Sequence, residues 1–301
     1  MNCQISHSIH TLSAVMIAAV VLSACASSGD SDGMVRVPAG PFWMGLSQDR
    51  LDHAIAECLK ERNPGEDCAG WFQAAGPRHQ VWLDTFRIDR LQVTQADFKR
   101  FTEATGYVTV AERENLGGVR RQEKGEWGWF VQRGATWTSP QGPGSTQPLD
   151  HPVLQVSWND AEAYCRWRGK RLPTEAQWEK AARGTDERLY AWGSDWQGGL
   201  HSNSDKQVQA TTPVGRYLSG ASPYGALDMT GNVWEWVADW YAPDTYRRTE
   251  PRNPTGPAQG TTRVLRGGSW HHSAVISMSA YRMHQSPQAR SNLMGFRCAG
   301  A

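Results

Sequence analysis

The sequence predicts a loop-rich mixed fold, with short strands and a few short helices held between large aromatic anchors. Three observations predict it. The chain has 301 residues, among them 15 tryptophans and 30 glycines, which favours ring-filled cores joined by turns over long regular elements. Apolar alternation recurs only over short runs that end in Gly/Pro turns. The helical stretches are brief, and each begins at a capping residue.

The first residues read as a processing signal. Residues 12–22 (LSAVMIAAVVL) form an apolar run of signal-peptide length, too short to span a bilayer. Leu22-Ser23-Ala24-Cys25 then reads as a bacterial lipobox, so residues 1–24 are expected to be removed and Cys25 to carry lipid. The run is preceded by His7 and His10 and by no Lys or Arg, a departure from the usual pattern. Ala26-Ser27-Ser28, directly after Cys25, lacks the aspartate that retains a lipoprotein at the inner membrane, which favours an outer-membrane anchor facing the periplasm, with residues 25–33 as a short polar tether. Residues 34–301 contain no linker-like break and are expected to form one domain.

Residues 34–45 alternate and turn as a strand pair, and residues 81–89 read as a further strand. Thr94 caps a helix over residues 95–104, with Phe98 and Phe101 on its inner face and Gly106 as its stop. Residues 111–150, rich in Gly, Arg, Gln and Trp, read as a long irregular loop. Ser157 or Asn159 caps the next helix, which carries Ala161, Tyr164, Cys165 and Arg168 and ends at Gly169. Thr174 and Gln177 form a capping box for a helix with Trp178, Ala181 and Ala182 inside and Gly184 as C-cap. Short strands and turns follow.

Composition narrows function mainly by exclusion. Net charge is +1, from 31 basic and 30 acidic residues, with no clustered basic face of the kind a nucleic acid requires. No Gly-x-Ser-x-Gly elbow or phosphate loop is present. Removing Cys3 with the signal and assigning Cys25 to lipid leaves Cys58, Cys68, Cys165 and Cys298. In an oxidising compartment four cysteines read as two disulfides, and three pairings are open. The short segment between Cys58 and Cys68 favours a local bridge. Arg266, Arg282, Arg290 and Arg297 recur in the last quarter and read as partners for carboxylates around the tryptophans.

Four blocks stand out. Pro77-Arg78-His79 leads toward Thr105-Gly106-Tyr107. Residues 151–161 (HPVLQVSWNDA) precede residues 169–179 (GKRLPTEAQWE). The third block is residues 228–236 (DMTGNVWEW), and the fourth runs from residues 264–272 (VLRGGSWHH) to residues 295–298 (GFRC). In this order the blocks resemble the formylglycine-generating enzymes, the sulfatase-modifying-factor family. The resemblance covers residues 34–300. It implies an α+β fold related to C-type lectins, with little regular secondary structure.

The resemblance also implies a set of sites. Catalytic members carry two cysteines shortly after Gly-Gly-Ser, which bind copper and oxidise a cysteine of the sulfatase. Here His272 stands at the first of those positions and Ser277 near the second, and no cysteine lies between Ser269 and Arg297. Cuprous copper prefers soft thiolates, so copper is not expected. Under the alternative of a divergent metal-dependent oxidase, like the branch that matures siderophores in the periplasm, His271, His272 and His284 would hold iron or copper(II). The resemblance places a calcium on Asp228, the Gly231 and Val233 carbonyls, and Glu235, a hard-oxygen set on one tight turn. A second calcium site would fall on Asn203, Ser204 and Asp205, although Lys206 stands where its acidic ligand belongs. Cys165 and Cys298 match a family disulfide, which leaves Cys58 and Cys68 as the other pair. The expected function is that of a calcium-stabilised periplasmic lipoprotein without oxidase activity. It would bind a protein partner of the envelope, as accessory regulators of type VI secretion do.

Overall fold

The computed structural model describes residues 33–61, 66–248 and 250–301. The expected signal segment, Cys25 and all of the tether except Gly33 lie outside the described residues. Strands β1 (Met34–Val37) and β2 (Gly40–Met44) form where alternation predicts them, yet they do not pair with each other. The stretch expected as one strand is two, β3 (His79–Leu83) and β4 (Phe86–Asp89), with Asp84-Thr85 between them. β2 pairs antiparallel with β3, and β1 with β4. This exchange sets buried Phe42 opposite buried Val81 and Val37 opposite Phe86, so both ladders present an apolar face inward.

Between β2 and β3 the chain forms two helices that no sequence signal had marked, α1 (Gln48–Glu61) and α2 (Cys68–Gln73). The Cys58–Cys68 disulfide joins them. Asp67 caps α2 by accepting the Gly70 N–H at 2.8 Å. The next helix, α3 (Gln95–Thr105), forms as expected. Thr94 and Asp97 make a reciprocal capping box, Phe98 and Phe101 are buried, and Gly106 stops the helix in a left-handed conformation.

Residues 111–150 contain more structure than the expected loop. α4 (Val110–Glu114) is capped by Thr109, and β5 (Leu116–Glu123) and β6 (Glu126–Arg133) pair in an eight-residue antiparallel ribbon. Its two-residue turn is Lys124-Gly125, both at positive φ, the geometry that matches strand twist. Arg and Gln on both strands had hidden the alternation. Ser157 caps α5 (Trp158–Trp167) through a box with Asp160, and Thr174 caps α6 (Glu175–Arg183) through a box with Gln177.

The second half builds a four-stranded sheet from β7 (Trp234–Trp240), β8 (Arg263–Arg266), β9 (Met283–Gln285) and β10 (Met294–Phe296), in the order β10-β7-β8-β9. A single helical turn, α7 (Thr245–Arg248), lies between β7 and β8. β11 (Ala299–Gly300) returns to β4, and the Cys165–Cys298 disulfide joins α5 to the segment just before it. Trp178, Trp234 and Trp236 are fully buried. Trp236 donates its indole N–H to the Val156 carbonyl at 3.1 Å, and Trp158 to that of Val237 at 2.8 Å, so rings and polar handles pin irregular segments together.

α6 turns charged residues inward. Arg266 reaches Glu175 at 3.0 Å and Glu179 at 2.5 Å, Arg282 reaches Glu175 at 2.6 Å, and Arg183 reaches Glu179 at 2.6 Å. All five side chains are buried. Asp239 is buried beside this cluster, where its Oδ2 accepts the Glu175 backbone N–H at 2.7 Å. Burial, with Glu175 close by, pushes the Asp239 carboxyl up from 3.8 to about 7. Unfolded chains lose this proton near pH 4 and the folded one near pH 7. The unfolded state therefore holds fewer protons in that window, and this group makes stability fall as pH rises through it. Asp239→Asn keeps an acceptor for the helix N–H and removes the charge. It is expected to exceed the parent in stability at pH 8 by on the order of 2–4 kcal/mol, with the gap closing toward pH 4. Urea unfolding of both proteins across this range checks it.

Candidate functional site

β8 ends at Arg266 and the chain turns at Gly267-Gly268, both at positive φ. Glycine is required sterically as well. A Cβ on Gly268 would fall 2.6 Å from Ser277 Oγ, and one on Gly267 would fall 3.0 Å from the Trp178 ring. This tight turn places Ser269, Trp270, His271 and His272 in succession. Trp270 is buried and packs against Trp127 of the β5–β6 ribbon at 5.5 Å.

The two adjacent histidines face different surroundings. His271 packs edge-on against Trp127 at 4.8 Å, and its Nε2 accepts a hydrogen bond from Arg120 Nε at 3.0 Å. His272 Nδ1 lies 2.7 Å from Ser269 Oγ, and its ring meets Trp234 edge-to-face at 5.2 Å. Ser277 is fully buried beneath the turn, with its hydroxyl 3.5 Å from the His272 carbonyl, and does not line the groove. His284 sits on β9, stacked on Tyr241 at 3.9 Å.

Two cavities meet at His272. One, of about 430 Å³, is polar and is bordered by Glu61, Arg120, Trp129, Asp205, Lys206 and His271. The other, of about 460 Å³, is bordered by Trp71, Trp234, Tyr241, Tyr281 and His284. A larger cavity of about 600 Å³, beside Trp158 and Arg171, contains none of the histidines. The α1–α2 insert contributes a wall to each compartment, through Glu61 and through Gly70 and Trp71. It is held there by Ser273 Oγ donating to Glu61 Oε2 at 2.5 Å and by Phe72 packing on Tyr281 at 5.0 Å. The structure thus brings His271, His272 and His284 to one groove and leaves Ser277 behind it. Sequence reasoning missed Arg120, Trp129 and the insert residues, because their elements were not legible. The Lys124-Gly125 turn, between a run with Val119 and a run with Trp127, Trp129 and Val131, was the available signal.

The donor set does not suit the copper of the catalytic members. All four cysteines among the described residues are in disulfides, Cys58–Cys68 and Cys165–Cys298. At the two thiolate positions stand an imidazole and a buried hydroxyl. Beside them, the fixed charge of Arg120 donates into His271 and opposes a second cation there.

Glu235 is fully buried and both its oxygens are engaged. Oε1 accepts from Gln92 at 2.9 Å and Arg297 at 2.7 Å, and Oε2 from Trp178 at 2.8 Å and Arg297 at 2.6 Å. A carboxylate has about four lone-pair directions, so none remains for a metal. The Val233 and Asp228 carbonyls also accept from Gln92, and Asp228 Oδ2 accepts the Gly215 N–H at 2.6 Å. In the second set, Asn203 Oδ1 is buried with no hydrogen-bond partner, while Asp205 is exposed at the rim of the polar cavity. That set offers a neutral oxygen inward and no carboxylate. As arranged, neither set fits calcium. Among the described residues no group of three or more His, Cys, Asp and Glu could hold a metal.

The short strands and capped helices, the Gly-Gly-Ser turn and the buried tryptophan network define a formylglycine-generating-enzyme-like module of mixed helix and strand. The Sulfatase-modifying factor enzyme 1-like domain matches residues 21–301, and the chain belongs to that family. It is 37% identical to the formylglycine-generating enzyme of Thermomonospora curvata, over 89% of this chain and 93% of the relative. It is 34% identical to the inactive C-alpha-formylglycine-generating enzyme 2 of Bos taurus, over 90% and 89% of the two chains. Among solved structures it is similar to PvdO from Pseudomonas aeruginosa, with 26% identity, a TM-score of 0.66, and coverage of 89% and 93% of the two chains.

Proposed function

We propose that this chain is a non-catalytic member of its family, a lipid-anchored periplasmic protein whose groove binds a protein partner of the envelope. The observation that carries this reading is the lack of any free thiol at the groove among the described residues. Cys165 and Cys298 are bonded across the domain, and His272 and the buried Ser277 occupy the two cysteine positions. The likeness to a relative named inactive supports it. The lipobox at Cys25 would hold the protein at the outer membrane, beside assemblies such as a type VI secretion machine. The calcium implied by the resemblance is no part of this reading.

A second reading has one observation in its favour. His271 and His272 line a groove in a chain similar to PvdO, which keeps a divergent metal-dependent oxidase of the same family in view. One assay separates the two. Full-length protein is purified, its metals are quantified, and oxygen uptake is followed with a sulfatase-derived cysteine peptide with and without added copper. The expected result is no bound copper or iron and no uptake. Stoichiometric iron or copper that disappears in His272→Ala would overturn the non-catalytic reading.

A further inference from the structure

We infer that the side-chain amide of Gln92 fills the cation position of the Asp228–Glu235 cradle, so that this chain folds and stays folded without calcium there. Gln92 is buried, three residues past the end of β4. Its Nε2 lies 2.9 Å from Glu235 Oε1, 3.2 Å from the Asp228 carbonyl and 3.4 Å from the Val233 carbonyl. Two of these oxygens, Glu235 Oε1 and the Val233 carbonyl, are among those that the resemblance assigns to calcium, and the third is the main-chain carbonyl of Asp228, whose carboxylate turns to the Gly215 N–H instead. A calcium ion gathers roughly six to eight oxygens at about 2.3–2.6 Å. An amide nitrogen among them donates protons and supplies no lone pair, so it takes the ion's place and cannot share it.

The orientation of this amide follows from backbone groups that have only one role. The Thr212 N–H can only donate, and it donates to Asn232 Oδ1 at 3.0 Å. The Thr212 carbonyl can only accept, and it accepts from Asn232 Nδ2 at 3.3 Å. Asn232 therefore cannot be turned over. Its Nδ2 also donates to Gln92 Oε1 at 3.1 Å, which fixes the Gln92 oxygen away from the cradle and the nitrogen into it. Turning Gln92 would set two NH₂ groups against each other. Charge points the same way. Arg297 grips both Glu235 oxygens, so the buried carboxylate is already neutralised. A divalent ion would have to displace the amide and stand beside a buried guanidinium.

The test uses the full-length protein, prepared without chelator, with bound calcium counted by mass spectrometry and unfolding followed in EDTA and in excess calcium chloride. The expected result is no stoichiometric calcium and the same Tm in both buffers. Gln92→Ala, which empties the position, is expected to lower Tm in EDTA by roughly 4–8 °C through the buried acceptors it leaves unpaired. One calcium per chain in the parent, with a Tm that drops in EDTA and recovers with calcium, overturns the inference. So does a Gln92→Ala protein that melts with the parent in EDTA.

Discussion

Replacing Arg266 with leucine is expected to destabilise the fold by roughly 3–5 kcal/mol, the cost of breaking a buried ion pair from one side. The guanidinium is fully buried and serves several acceptors at once. It reaches Glu175 at 3.0 Å, Glu179 at 2.5 Å and the Ser279 carbonyl at 2.7 Å. Without it, Glu175 keeps Arg282 and Glu179 keeps Arg183, but two carboxylates remain in a site that has lost one positive charge. Arg266→Lys would restore the charge and not the planar fork, so only partial recovery is expected. Arg248 gives the contrast. Its pair with Asp244 at 2.7 Å is solvent-exposed, and Arg248→Ala should cost no more than about 1 kcal/mol. Denaturant unfolding of the three variants settles the ranking. An Arg266→Leu loss no larger than that of Arg248→Ala would refute the argument that the cluster carries a large share of the stability.

The second large effect concerns the long disulfide. Cys165 and Cys298 are separated by 133 residues, and Cys58 and Cys68 by 10. In the chain-entropy model the long bridge contributes about 5 kcal/mol and the short one about 3 kcal/mol. The Cys165→Ala/Cys298→Ala double variant is therefore expected to lose more stability than the Cys58→Ala/Cys68→Ala variant, and both cysteine-free sites should become insensitive to reductant. Local consequences differ too. The short bridge staples α1 to α2, whose residues Glu61, Gly70 and Trp71 border the groove. Its loss should alter the intrinsic fluorescence of the tryptophans that border the groove, Trp71 and Trp234 among them, at a smaller cost in global stability. Equal destabilisation by the two double variants would count against the loop-entropy account.

Much of the fold was legible where local chemistry decides it. Thr94, Ser157 and Thr174 each cap a helix through their own side chain and a partner three residues on, so the start of α3, α5 and α6 is written within one turn. The two disulfides pair as the resemblance implied. The arginines of the last quarter do meet carboxylates: Arg266 and Arg282 on α6, Arg297 on β7, and Arg290 on Glu114. The β5–β6 ribbon was not legible, because Arg120, Arg121 and Gln122 obscure its period and its stability comes from pairing across the ribbon and from Trp127 packing on Trp270. Which strand β1 and β2 would choose was equally hidden, since pairing is a contact between residues 35 (Met44 and His79) to 55 (Met34 and Asp89) positions apart.

By itself the sequence determined the family, the capped helices, the Gly-Gly-Ser turn and the lack of thiols at the copper positions. These are properties of residue type and short-range spacing. Only the tertiary structure decided that His272 joins two compartments, that Ser277 lies beneath them, and that the α1–α2 insert walls them. It also decided that Gln92 reaches Glu235 across 143 residues of chain, into a cradle that residues 228–235 alone would offer to a metal. The reason is physical. A motif specifies which oxygens are near one another, while the hydrogen bonds and charges arriving from distant parts of the chain determine whether those oxygens still have a lone pair to give.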